Sequence, residues 1–490
     1  MRFLVRTRSD HPNTPPLRVS SPAERFWPRL AMTMAVCVLA LATPACSRTP
    51  AAPDWNIVLI SVDTLRIDHL GTYGYDRPTS PAIDALASGG VVFEQAICQN
   101  TNTNPSHASM LSGLYPHSHG NRDNFYRMAE DVHMLPEALH EAGYKTAGFV
   151  SGYTLKDRIC GLARGFDVYD DDFSGKERRG GETTDRVLAW LRTHAEDRFF
   201  LFVHLFDPHG PYDPPADRAV RFEPRGPERK VAPDRIPRYQ RLPVDSPEDA
   251  HWTDLRLYEA RYDEEIAYAD SQVARLLDEL RQLGLYEKTI IVFTSDHGEA
   301  LDERVHLLDH GGGIGDEEIR VPLILRLPDG RFAGRRFTGQ VELIDIAPTL
   351  AALAGVDMGD GIQGVNLLLH LEKGSGDPHP TAFIETRVIP HRWRERGYRL
   401  NPRESLKAVR RPGSKLVVFP GLPRNYIELY DLEADPAEKD NLYPGARDKA
   451  RPLIVELDRF LALPSRLNQV ASPEADPETL EIFRTLGYAD

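Results

Sequence analysis

Residues 56 to 63, Asn-Ile-Val-Leu-Ile-Ser-Val-Asp (NIVLISVD), decide the fold. The run is almost continuously apolar and ends in an acid, which is the pattern of a strand buried on both faces. Such strands lie in parallel sheets with helices on either side. The next segment supplies a helix: TSPAIDALASGG (residues 79–90) offers Ser80 as N-cap, Pro81 at the first helical position and glycines at the end.

The alternation continues outward from this pair. MLPEALHEAG, TTDRVLAWLRTHA and the long DLRLYEARYDEEIAYADSQVARLLDELRQLG read as helices; KTAGFVSG, RFFLFVHLFDPH and TIIVFTSDHGE read as strands. RVPLILRLP adds a strand and IDIAPTLAALAG a helix. Strands alternating with helices predict an α/β domain built on a mostly parallel sheet. Tyr212 to Asp249 is rich in Pro, Arg and Asp without periodicity, so it reads as a long surface excursion near the site. After about Gly374 the texture changes to short strands (PTAFIETR, SLKAVRRPGSKLVVFPG, IELYDLEADPAEKDNL) and one helix (ARPLIVELDRFLAL), which predicts a small antiparallel sheet with a helix packed on it. The expected organisation is a catalytic domain over residues 54–373 and a C-terminal α+β subdomain over 374–490.

The chain of 490 residues carries 59 basic and 73 acidic side chains, a formal charge of −14. That balance argues against a nucleic-acid partner, whose footprint is a basic stripe. An anionic substrate then requires locally concentrated positive charge, such as a metal. Residues 1–46 read as a processing signal: Arg25 and Arg29 precede the apolar run LAMTMAVCVLALA, and small residues follow up to Cys46. Thirteen apolar residues are too few to span a bilayer comfortably. Cys46 is similar to the lipidated cysteine of bacterial lipoproteins, with simple cleavage as the alternative. The expected location is therefore periplasmic, membrane-anchored or secreted. Removing residues 1–45 takes away six Arg and two acids and leaves −18. Cys98 and Cys160 either pair in an oxidising compartment or stay as two buried thiols.

The candidate chemistry sits where strands end, because ligands of open α/β sheets bind beyond the carboxyl ends of the strands. Asp63 ends one strand, and Asp296 and His297 end another. Two carboxylates and an imidazole brought together make a divalent-metal site, although any single acid there also serves as a helix cap. Thr103, in TNTNPSHASMLSG (residues 101–113), stands just before the helix-starting Pro105 and Ser106. A hydroxyl at a helix N-terminus meets unpaired backbone N–H groups that favour an oxyanion. It is a weak nucleophile that needs a metal or a base, and for an isolated Thr the simpler role is N-cap. His209, in HLFDPHGPY, is the candidate for protonating a leaving oxygen. His310, in a glycine-rich loop, and His107, one turn beyond Thr103, are candidates for holding the anion. His204 falls inside an apolar strand and reads as a core histidine; His117 and His119 have no evident partner.

Taken in order, ISVDTLRIDHLGTYGY, TNPSHASMLSG, DPHGPY, TSDHGE, RVPLI, DIAPTL and ELYDLEADPAEKDNL resemble the sulfatases of the alkaline phosphatase superfamily over Asn56 to Leu442. The resemblance implies an alkaline-phosphatase-like large α/β domain with a central, mostly parallel sheet flanked by helices, plus the small antiparallel subdomain. It places Asp63, Asp296 and His297 at metal-ligand positions, Thr103 at the nucleophile and His209 at the histidine that assists the leaving group.

Three departures from the family pattern bear on function. Asp63 is followed by Thr64 rather than a second acid. The family's nucleophile is a formylglycine made from Cys or Ser, which Thr103 cannot become, and its neighbouring Arg is His107. The segment GFVSGYTLKD replaces the family's sulfate-holding GKWHLG, and His310 stands close to a further sulfate-binding Lys position. Fewer carboxylates around the cation favour Mn²⁺ or Zn²⁺, with the sulfatases' usual Ca²⁺ as the alternative. A Thr nucleophile is similar to the phosphodiesterases and phosphoglycol transferases of the superfamily. The expected function is a metal-dependent ester hydrolase working through covalent Thr103, with a phosphate ester or diester as substrate, carried on a glycan, a lipid or a small molecule. The alternatives are a sulfatase without formylglycine and a non-catalytic glycan-binding relic.

Overall fold

A computed structural model describes residues 54–215, 221–241, 253–303, 307–374, 376–386, 406–419, 426–467 and 476–486. The export signal expected over residues 1–46, with Cys46, lies outside them. Among the described residues no helix is long and apolar enough to cross a membrane.

The strand foreseen at the opening stretch forms as β1 (Asn56–Val62), with every residue buried. The large sheet adds β2 (Val91–Ile97), β3 (Lys145–Phe149), β4 (Val168–Asp170), β5 (Phe199–Leu205), β6 (Thr289–Ser295), β7 (Arg320–Arg326) and β8 (Arg335–Glu342). Their order is β4-β3-β5-β1-β6-β7-β2-β8. β7 runs antiparallel to both neighbours and the other pairings are parallel, so the sheet is mostly parallel as expected.

Side chains alternate between the two faces, as the pleat requires. Ile57, Leu59, Phe200 and Phe202 enter one core, which the helices α3 (Leu135–Glu141) and α6 (Ile346–Ala354) cover. Val58, Ile60, Leu201 and Val203 enter the other, under α1 (Pro81–Ser88), α4 (Gly180–Thr193) and α5 (Leu255–Gln282). α2 (Thr103–Ser112) is buried along its whole length, so it is a core element and not a surface helix. Cys98 and Cys160 are both free and buried, and burial pushes the Cys160 thiol up to about 12.

The second sheet is antiparallel, β12-β11-β10-β9, built from β9 (Ala382–Thr386), β10 (Leu406–Arg411), β11 (Ser414–Phe419) and β12 (Tyr426–Asp431). The helix α7 (Arg447–Leu461) packs Leu453, Leu457 and Phe460 against Val409, Leu416 and Leu429. A last helix, α8 (Pro477–Thr485), follows. Both sheets belong to one unit, Ala52 to Asp490.

Buried ion pairs fasten the two sheets together. Arg410 on β10 grips Asp316 ahead of β7. His379, just before β9, places Nδ1 2.9 Å from Glu342 and Nε2 2.7 Å from Asp345, at the end of β8. Burial alone would lower the His379 pKa, but the two carboxylates overcome it and push it up to about 11. A raised pKa binds the proton more tightly in the folded state, so this stabilisation is complete below the unfolded value of about 6.5 and declines as pH rises toward about 11. His379→Gln leaves two buried carboxylates without a countercharge and is expected to cost about 3 kcal/mol or more near neutrality. Denaturant titrations of both proteins from pH 6 upward should show the gap between them narrowing as pH rises; a constant gap would remove His379 from the linkage.

Candidate active site

The carboxyl ends of β1 and β6 lie side by side in register, Val62 opposite Ser295, so the residues that follow must meet. Asp63 extends the β1–β5 pairing by one bond, its N–H donating to Leu205 O at 2.9 Å. The chain then turns through Thr64 at φ 53°, a left-handed conformation unfavourable for a branched side chain. That turn is pinned to β6: Thr64 N–H donates to Asp296 Oδ1 at 3.3 Å and Leu65 N–H to Ser295 Oγ at 3.0 Å. On the other side Ser106 Oγ of α2 donates to Asp296 O at 2.7 Å. Gly298 is required here, since a Cβ would lie 2.1 Å from Glu317 O.

This framework brings Asp63, Asp296 and His297 together, with one ligand atom from each lying within 4.8 Å of the others. His297 Nδ1 donates to Gly298 O at 2.9 Å, which leaves Nε2 as a bare lone pair 3.4 Å from Asp296 Oδ2 and 4.0 Å from Asp63 Oδ1. Asp63 Oδ1, Asp296 Oδ2, His297 Nε2 and Thr103 Oγ1 are all buried and all lack a hydrogen-bond partner. Buried polar atoms are rarely left so, and four electron-rich ones together fit a divalent cation. Burial, and next the charge of Asp296, push the Asp63 carboxyl well above its ordinary range. Burial would raise Asp296 too, but His297, His107 and His204 around it hold it down.

Thr103 is the first residue of α2, after Asn102 in extended conformation. Asn124 caps the same end by accepting Asn104 N–H at 2.9 Å. The Thr103 hydroxyl lies near enough to Asp63 to help lower its carboxyl pKa, while making no hydrogen bond of ordinary geometry.

Two further histidines complete a row of imidazoles. The His310 ring is 4.8 Å from that of His297, and the His209 ring is 4.8 Å from that of His310. His209 stacks on Phe206 at 4.2 Å and its Nδ1 donates to Gly210 O at 2.8 Å. Burial, and next His310, lower its pKa well below the ordinary imidazole range. His310 Nδ1 faces Glu299 Oε1 at 3.3 Å, and burial pushes Glu299 up to about 8.

Two histidines have partners that sequence did not display. His107, expected to face the anion, is turned inward: Nε2 is 2.9 Å from Ser61 Oγ and Nδ1 2.7 Å from Thr103 O. The same Nδ1 lies 3.7 Å from Asp296 Oδ2, so the ring sits against the carboxylate cluster. His204, expected to be only a core histidine, places Nε2 3.2 Å from Asp63 Oδ2. Ser151 N–H donates to its Nδ1 at 3.4 Å, so Nε2 carries the proton and donates to Asp63. The available signal was its position one residue from the end of an apolar strand. Glu299 was also missed as a site residue, although the second acid of SDHGE marked it.

Other expectations hold their place. The excursion after Tyr212 does line the site, since Tyr239 OH donates to Asp309 Oδ1 at 2.9 Å beside His310; residues 216–220 and 242–252 of it lie outside the described residues. Lys156, in the segment replacing GKWHLG, is turned to the carbonyls of Asp171 and Phe173. His117 and His119, without an evident partner in the sequence, do have one in the structure: His117 meets Glu385 at 2.6 Å and His119 meets Ser109 at 2.9 Å.

Known proteins share both sequence and fold with this chain. The sequence model of the Sulfatase family matches residues 55–356, and that of the N-sulphoglucosamine sulphohydrolase C-terminal region matches 314–462. An N-acetylglucosamine-6-O-sulfatase of Bacteroides thetaiotaomicron is 25% identical over 87% of this chain and 88% of its own. The human iduronate 2-sulfatase is 28% identical over 68% of this chain and 74% of its own. Among solved structures, the phosphonate monoester hydrolase of Agrobacterium radiobacter superposes with a TM-score of 0.67 at 24% identity, covering 86% of this chain and 97% of its own. With the family match spanning more than half its length around this cluster of strand-end residues, the chain belongs to the sulfatase family and is a hydrolase of ester bonds.

Proposed function

We propose that the chain is an exported, metal-dependent hydrolase or phosphotransferase that uses Thr103 covalently on a phosphate ester or diester. The observation that carries this reading is the Thr103 hydroxyl itself, buried and unpartnered among three unpartnered metal-type ligand atoms at the start of α2. Asp63, Asp296, His297 and Thr103 would hold the cation, with Mn²⁺ or Zn²⁺ favoured over Ca²⁺ by the imidazole and the few carboxylates. When bound, it supplies charge stabilisation of the anion and lowers the pKa of the hydroxyl it touches.

The chain's own residues then do the following. Thr103 Oγ attacks phosphorus as its proton passes to solvent; the Oγ–P bond forms and the bond to the leaving oxygen breaks. The anionic ester beside His209 favours the imidazolium, which gives its proton to that oxygen. His209, now neutral, takes a proton from the incoming water or acceptor alcohol, whose oxygen displaces Thr103 from phosphorus in line. His310 holds the anion, and His204 and His107 orient the carboxylates from behind.

A threonine-bound sulfate would lack the hydrate collapse by which formylglycine expels sulfate, which favours phosphate. A sulfate ester is the second reading, supported by relatives named for activity on sulfated sugars.

Thr103→Ala should lower turnover of an aryl phosphate by at least about 10³-fold while Thr103→Ser keeps measurable activity. Undiminished turnover in the Ala variant would remove Thr103 from the mechanism, and a preference for aryl sulfate over aryl phosphate at equal metal loading would reverse the order of the two readings. Chelation should abolish turnover, and Mn²⁺ or Zn²⁺ should restore it better than Ca²⁺. Returning Mn²⁺ to the stripped protein should also raise its melting temperature, because the cation binds the folded state, and Asp296→Asn should cancel that rise.

A further inference from the structure

The match to the family's C-terminal sequence model ends at residue 462, and the chain goes on to α8, which returns to the large sheet's side of the molecule. Phe483 of α8 packs its ring 4.3 Å from that of Phe125 and 5.9 Å, edge on, from that of Tyr153. With Ile159, Phe206 and Leu486 these side chains form one small buried cluster. Polar contacts fix the approach: Thr479 Oγ1 lies 2.9 Å from Tyr153 OH, and Arg158 reaches both Tyr153 OH and Asp476.

The other aromatic side chains of this cluster, Phe125, Tyr153 and Phe206, belong to different loops. Phe125 follows Asn124, the residue that caps α2 at Thr103. Tyr153 follows Ser151, whose N–H sets the tautomer of His204. Phe206 is the ring on which His209 stacks, and its carbonyl accepts the His209 N–H at 2.8 Å. Phe206 is itself wedged against Gly152, where a Cβ would come 2.7 Å from its ring. Residues of three loops thus share one apolar cluster.

We propose that α8 is a positioning element of the reaction: Phe483, through Phe206, Tyr153 and Phe125, holds His209 and the capped start of α2 in register with each other. The inference rests on the reading of His209 as the acid for the leaving group. It separates α8 from a helix that merely covers apolar surface, because loss of positioning falls on the proton-transfer step. An ester whose leaving group departs without a proton should be spared.

The test compares kcat/KM for a 4-nitrophenyl and a methyl ester of phosphate in the metal-loaded full chain. Phe483→Ala should lower the methyl ester rate by about tenfold or more and the nitrophenyl rate by less than about threefold, since general-acid help is worth about 10²–10⁴. Phe483→Leu should restore most of the methyl ester rate. Equal loss on the two esters, or no loss on either, overturns the proposal. A chain ending at Leu467 should show the same leaving-group pattern, and it carries the test if Phe483→Ala does not accumulate as folded protein. His209→Ala is the control: selectivity there with uniform loss in the Phe483 variant sinks the role of α8 alone, whereas uniform loss in the His209 variant sinks the acid assignment and this inference with it.

Discussion

Two carboxylates and an imidazole whose inner atoms have no hydrogen-bond partner make an arrangement that a folded chain tolerates only around a cation. Asp63 and Asp296 repel each other across a buried gap, and among the described residues neither has an arginine or lysine beside it to relieve the charge. Desolvating an unpaired carboxylate costs several kcal/mol, so a cation bound between them would add to the stability of this region. The rest of the site is arranged around that demand. His204 and His107 supply imidazole from behind, the strained Thr64 turn donates its N–H to Asp296, and α2 points its positive end at the same place.

The architecture accounts for how the cluster can exist at all. β1 and β6 are adjacent although some 230 residues separate their ends in the chain, as the Leu65–Ser295 contact shows. Two packed faces then leave those ends no freedom to part. The smaller sheet is pulled onto the same region: Glu385 N–H on β9 donates to Gln99 O, and Asn102, the residue before Thr103, meets Thr386 at 3.2 Å. The same sheet is tied to the larger one by His379 and Arg410. Folding of both sheets and placement of Thr103 are therefore coupled.

Legibility followed burial. Strands covered on both faces, β1, β5 and β6, were evident because a continuous apolar run is stable in water only when both of its sides are packed against other elements. β8 was missed because it is an edge strand whose first half is polar and partly exposed, and β2 because a bulge interrupts it beside polar residues. α8 was missed because its short amphipathic turn makes sense only against a surface built elsewhere. That Asp63, Asp296 and His297 lie together was readable from the strand ends they follow. The partners of His107 and His204 were not readable, because the direction in which a side chain leaves its element depends on neighbours that sequence does not display.

The sequence by itself determined the alternation of strand and helix, the chemical inventory at the strand ends and the presence of a threonine at the start of a buried helix. These are local properties, set by apolar periodicity and residue type. Only the tertiary structure decided which partners the histidines meet, that ligand atoms of Asp63, Asp296 and His297 gather within 4.8 Å of one another, and that a helix late in the chain packs Phe483 against Phe125 and Tyr153. Those outcomes depend on distances between segments remote in sequence, fixed by the packing of the two cores and not by the residues that carry the chemistry.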